Sequence, residues 1–105
     1  MAKKKPSVSY EDRLHRDLLD PAYAAAYLTE CLSQDIDDGG STFLVALGEV
    51  ARARGMSQLA DATALGRESL YKTLSDSGNP TFQTLLKILR ELDLQISLVP
   101  QAKVG

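Results

Sequence analysis

The chain has 105 residues, 44% of them hydrophobic and 25% charged, with a net charge of −2 and a pI near 5.3. That length suits one domain able to bury a modest core without staples, and no stretch approaches the ~20 apolar residues that a membrane span needs. A single cysteine, Cys31, excludes an internal disulfide or an all-cysteine metal site. With no Trp, the core must be built mostly of Leu, Ala, Ile and Val, which favours helices.

The opening MAKKKPSVSY has lysines but no apolar run behind them, so it does not read as a secretory signal, and the expected location is cytoplasmic. Residues 1–8 are expected to form a disordered tail. YEDRLHRDLL places Leu14, Leu18 and Leu19 among charges and reads either as a short helix or as an extended arm. Asp20-Pro21 is a strong helix start, an N-cap residue followed by proline at the first helical position. In the helix that follows, Tyr23, Tyr27, Leu28, Cys31 and Leu32 share one face at helical spacing. DIDDGG closes it in a loop, and Ser41 opens the next helix. Phe43, Leu44, Leu47, Val50 and Ala51 form an apolar stripe there, and Gly55 stops it.

Ser57 is expected to cap a short helix over about 57–64, with Leu59, Ala60 and Thr63 inward. After a turn of about three residues, RESLYKTL forms a second short helix that packs Leu70 and Leu74. SDSGNP is a loop. Pro80 or Thr81 then opens a longer helix with Phe82, Leu85, Leu86, Leu89 and Leu92 on one face. Finally LQISLV alternates Leu94, Ile96 and Leu98 against Gln95, Ser97 and Val99, the period of one half-buried strand. A lone strand needs the N-terminal arm, a second copy or another protein as its partner, unless these residues simply lie as a tail against the core. Pairing between copies through Leu94, Ile96 and Leu98 would give a two-fold homodimer.

MSQLADATALGRESLYKTL has the spacing of a helix-turn-helix, whose second helix enters the major groove of double-stranded DNA. Small Ala60 stands where the two helices cross, and Leu59, Leu65, Leu70 and Leu74 fill the space between them. The polar face that begins at Gly66 then becomes the reading face. Arg67 has the geometry for a guanine edge. Glu68 could accept from a cytosine amino group or orient Arg67, and Ser69, Tyr71 and Lys72 suit base or phosphate contacts. Ser57 and Gln58, at a helix start with free N–H groups, suit a phosphate. Residues 1–40 hold five Lys/Arg against eight Asp/Glu, and residues 41–105 hold seven against six. DNA binding must therefore use a local patch rather than bulk charge.

These same residues carry a family resemblance. VARARGMSQLA, RESLYKTLS and GNPTFQTLLKIL, with DPAYAAAYLTECL upstream, resemble the Xre-type helix-turn-helix antidotes of addiction modules, the HigA-like antitoxins, over about residues 18–100. The likeness implies a lambda-repressor-like all-α bundle, to which the residue pattern adds the C-terminal β-strand. It also implies a homodimer that binds a palindromic operator in its own promoter, and a small toxin partner, usually an RNase of the RelE type. By position it carries over Arg67, Glu68, Ser69, Tyr71 and Lys72 as the DNA-reading helix, with Ser57 and Gln58 at phosphate. The toxin-binding surface does not carry over; the acidic region before Ser41 suits a basic RNase. The likeness departs at the turn, where Ala64 stands in place of the usual glycine and Gly66, two residues on, is expected to relieve the strain.

Other chemistry is weaker. His15 beside Asp12 and Asp17 lacks a second histidine or a cysteine and reads as an exposed structural residue rather than a metal or acid–base site. Asp35, Asp37, Asp38 and Gly39 lack the later glutamate of a calcium loop and read as a solvated linker. Cys31 reads as buried filler, and Tyr23 and Tyr27 as core or a partner-facing ridge. No catalytic set or cofactor fingerprint is present, so neither an enzyme nor a cofactor is expected. The expected layout is a tail over 1–8, an arm and helix over 9–40, a DNA-binding core over 41–93, a strand over 94–100 and a tail over 101–105. Two classes of function stand: a DNA-binding repressor-antitoxin, or a stand-alone regulator of that type, and a helical protein-interaction module without DNA binding.

Overall fold

A computed structural model describes residues 10–34 and 38–102. Six helices follow one another: α1 (Tyr10–Asp17), α2 (Pro21–Gln34), α3 (Ser41–Arg54), α4 (Met56–Thr63), α5 (Arg67–Thr73) and α6 (Phe82–Glu91). The tail expected at 1–8, the carboxylates Asp35 and Asp37, and the end of the chain at 103–105 lie outside the described residues.

Of the two readings of the N-terminal arm, the helix is the one adopted. Leu14 on α1 and Leu18 just past its end, four residues apart, are both buried and dock the helix against α3. Asp20 then caps α2 through its carboxylate, which accepts from the Ala22 N–H at 3.0 Å. The face of α2 turned to the core differs from the expected stripe. Ala24 and Leu28 are buried and Tyr27 and Cys31 pack beside them, whereas Tyr23 and Leu32 are exposed.

The central helix is α3, which touches α1, α2 and α4. Its buried stripe holds Leu44, Leu47, Val50 and Ala51, with Phe43 at the edge. Gly48 lies at the tightest approach: a Cβ there would stand 2.8 Å from the Leu74 carbonyl oxygen, so only glycine lets α3 lie against the end of α5. The helix is opened by Asp38 rather than by its own first residue. The Asp38 carboxylate accepts from the N–H groups of Gly40 (3.0 Å), Ser41 (3.1 Å) and Thr42 (3.3 Å), and from the Thr42 hydroxyl (2.9 Å). Asp38 is thus a specific cap where a solvated linker was expected.

Gly55 is both the stop of α3 and the start of α4. Its φ of 116° and ψ of 111° suit glycine alone, and its N–H closes α3 on the Ala51 carbonyl at 2.8 Å. As a result α4 begins at Met56, one residue before the expected cap, and Ser57 makes no capping hydrogen bond. At the other end, Ala64 is left-handed (φ 62°, ψ 23°). The Ala64 N–H bonds the Asp61 carbonyl (3.3 Å) and the Leu65 N–H bonds the Ala60 carbonyl (3.1 Å). That pair of bonds is a Schellman closure with alanine in the glycine position. Gly66 is extended, at φ −69° and ψ 155°, so it does not relieve the turn as expected.

Thr81 caps α6 by accepting from the Thr84 N–H at 3.1 Å. Ile88, absent from the expected stripe, is fully buried with Leu89 and Leu92, while Phe82 is exposed at the rim. Across the core α6 meets α4. A second Schellman closure ends it: Asp93, left-handed at φ 64°, bonds the Arg90 carbonyl (3.1 Å), and the Leu94 N–H bonds the Leu89 carbonyl (2.9 Å). Arg54, from the last turn of α3, holds this corner. Its Nη1 donates to the Leu92 carbonyl oxygen at 3.1 Å and its Nη2 to the Asp93 carboxylate at 2.7 Å.

Among the described residues there is no strand. The strand expected over 94–100 is replaced by irregular chain. Alternation supplies a two-sided pattern but no ladder partner, and the helix closure draws Leu94 onto the core beside Leu89.

Candidate nucleic-acid interface

Two short helices, α4 and α5, are joined by residues 64–66. Leu59, Ala60, Leu70 and Leu74 are buried between and beneath them, with Leu65 half-buried. Because Leu70 is fully inside, the opposite side of α5 faces water, and Arg67, Glu68, Ser69, Tyr71 and Lys72 are all exposed, as is Gly66. Ser57 and Gln58 are exposed on the first turn of α4.

Four of these residues converge. Ser57, Gln58, Arg67 and Tyr71 line one open concavity of about 540 Å³, whereas Gly66, Glu68, Ser69 and Lys72 stand outside it. The concavity also takes in three side chains that the sequence reading did not assign: Arg52 and Arg54 from α3, and His15 from α1. Among the described residues no carboxylate lines it. Arg54 is engaged with the end of α6. Arg52 has only a long contact with Glu49, 3.9 Å and one turn away, with both side chains partly exposed. Arg67 makes no ion pair among the described residues. The result is a local excess of positive charge on a chain that is acidic as a whole. Arg52 and Arg54, in ARARG just ahead of α4, were legible as a basic run. His15 was not, because only the docking of α1 on α3 brings it there.

The residues expected at a contact between copies lie on another face. Ile96 and Leu98 are exposed and Leu94 is half-buried. Together with Phe82, Leu86 and Leu89 they line a shallow depression of about 610 Å³. A narrower apolar cleft of about 300 Å³ lies beside it, between Leu32, Phe43, Leu85 and Ile96.

Among the described residues, three groups titrate away from their ordinary ranges. Burial, reinforced by neighbouring Cys31 and Glu49, raises Tyr27. Burial, then Glu30 and Glu49, raises the Cys31 thiol, so the thiolate is disfavoured there. At Asp38 desolvation pushes upward, but the hydrogen bonds from Thr42, Ser41 and Gly40 together outweigh it and hold the carboxyl below its usual range. Among the described residues no three His, Cys, Asp or Glu side chains gather as they would around a metal ion, and no helix is long and apolar enough to cross a membrane.

Against this geometry, the family described as "Probable addiction module antidote protein" matches residues 13–100, nearly the whole of the chain. The protein belongs to that family, the antidote half of an addiction module, whose counterpart in general is a toxin. An uncharacterized protein of Haemophilus influenzae is 47% identical over 72 residues, covering 69% of this chain and 71% of its own. No solved structure matches.

Proposed function

We propose that this antidote is a sequence-specific DNA-binding repressor of the Xre, HigA-like type, which binds an operator in its own promoter and neutralises a small RNase toxin of the RelE type. In this reading α4 and α5 are the helix-turn-helix of a lambda-repressor-like domain. The observation that carries it is the concavity in which Ser57, Gln58, Arg67 and Tyr71 meet two further arginines, Arg52 and Arg54, and, among the described residues, no carboxylate, beside an α5 face that packs against nothing. Arg67 reads a base edge, Glu68 orients it or takes a cytosine amino group, and Ser69, Tyr71 and Lys72 contact bases or backbone. Ser57 and Gln58 hold a phosphate. No catalytic step and no cofactor enters this role.

The homodimer pairs through the apolar end that contains Ile96 and Leu98, which sets two reading helices on the half-sites of a palindrome. The toxin meets the α1–α2 side, whose exposed Asp17, Asp20 and Glu30 complement a basic RNase. A cytoplasmic site of action follows from both partners. Exposed Phe82, Leu98 and Val99 also support a second reading, a helical interaction module that binds protein alone.

Fluorescence anisotropy on labelled duplex from upstream of the gene, against a scrambled duplex, separates the two. The repressor reading expects tight, selective, salt-dependent binding, and Arg67→Ala should cost about 1–3 kcal/mol of operator affinity. Binding without selectivity at low and moderate salt would move the assignment to the protein-binding module.

A further inference from the structure

We propose that α1, which lies outside the two reading helices, is part of the same DNA surface: His15 and Arg52 together grip a backbone phosphate beside the groove that α5 enters. This rests on the DNA-binding reading above and extends it to a contact that the α4–α5 unit does not contain.

The placement of His15 is fixed by packing. Leu14 and Leu18 are buried against the core, which sets the rotation of α1 and leaves His15, next to Leu14, no freedom to turn away. His15 is half-exposed and lies on the wall of the concavity, with Arg52 of α3 and Arg67 of α5 on the others. The cations gathered here repel one another, and the chain offers them little relief. Glu49 reaches Arg52 only at 3.9 Å, and Asp93 is already committed to Arg54 at 2.7 Å. On α1 itself the charges are mixed in sequence, with Glu11, Asp12 and Asp17 against Arg13 and Arg16. An anion supplied from outside is what a cationic recess of this kind lacks. Arg67 already points this wall at the duplex, so the anion within reach is the phosphodiester that flanks the base it reads. An imidazole N–H and a guanidinium are both donors to phosphate oxygen. Such a contact fixes orientation and carries no sequence information of its own.

The test uses the full chain and the two duplexes already named, at two salt concentrations, with melting curves as a control for folding. His15→Glu should weaken binding to promoter and scrambled duplexes alike, by about tenfold, leaving their ratio unchanged, because a phosphate contact is lost equally on every sequence. Arg52→Ala should act in the same direction. His15→Lys should bind at least as tightly as the parent and with a steeper salt dependence. Arg67→Ala, in contrast, should lower the ratio itself. If His15→Glu melts early, Arg52→Ala and His15→Lys decide the question. Parental binding by the His15 and Arg52 variants, with selectivity still lost in Arg67→Ala, would overturn the role of α1 and leave the repressor reading standing. Absence of DNA binding by the parent would remove both.

Discussion

Ala64 pays a conformational cost that its neighbour does not share. An L-residue in the left-handed region loses about 1–2 kcal/mol, and glycine escapes most of that at an entropic cost of about 0.5–1 kcal/mol in the unfolded chain. Ala64→Gly should therefore stabilise the fold by about 0.5–1 kcal/mol, seen as a higher urea midpoint at unchanged slope. An unchanged midpoint would mean that the turn relaxes elsewhere. Asp93 holds the equivalent place at the end of α6 with a different compensation. Asp tolerates this conformation better than alanine, and its carboxylate is bound by Arg54. Two helix ends with one backbone geometry thus differ in whether glycine would improve them.

Among the elements, α3 touches three of the others, and it can be tested at its start and at its middle. Asp38 titrates below an ordinary carboxyl group when folded. The unfolded chain therefore takes up its proton first as pH falls. The stabilisation that Asp38 contributes is complete above about pH 4 and disappears as pH drops through the lower folded value. The amide resonances of Gly40, Ser41 and Thr42 should report that loss, and Asp38→Asn should remove the acid limb; identical acid titrations of parent and variant would count against the cap. Farther along, Gly48→Ala would push a methyl group onto the Leu74 carbonyl and should cost about 1–3 kcal/mol in denaturant unfolding.

Helix positions and types were legible in the sequence wherever a local cap or stop fixed them. Asp20-Pro21, Gly55 and Thr81 mark real boundaries because their chemistry acts within one turn. The exposed face of α5 was legible too, since Leu70 and Leu74 fix which side goes inward. What escaped depended on partners distant in sequence or on atoms that no pattern weighs. Ser57 looked like a cap, but Gly55 had already turned the chain into α4. The apolar period of 94–98 looked like a strand, but the corner closed by Leu89 takes Leu94 inward. His15 looked solitary because its neighbours are about forty or more residues away along the chain.

At the scale of the whole molecule, one end stays apolar and uncovered. Phe82 is 66% exposed, Leu98 90% and Val99 80%, around the depression that Ile96 also lines. If two copies cover these faces, folding is linked to association, and the melting temperature must rise with protein concentration. Leu98→Asp should remove that dependence and sediment as a monomer. A parent whose melting temperature is the same at low and high concentration would rule out the pairing.

The consequence reaches beyond the test tube. A chain stabilised by its own second copy is strongest when abundant and weakest when scarce. Once synthesis falters, each molecule lost leaves the remainder more often single, more often open, and more accessible to proteolysis. The exposed apolar end would then make the disappearance of this antidote accelerate as it proceeds, so that a pause in expression becomes a commitment.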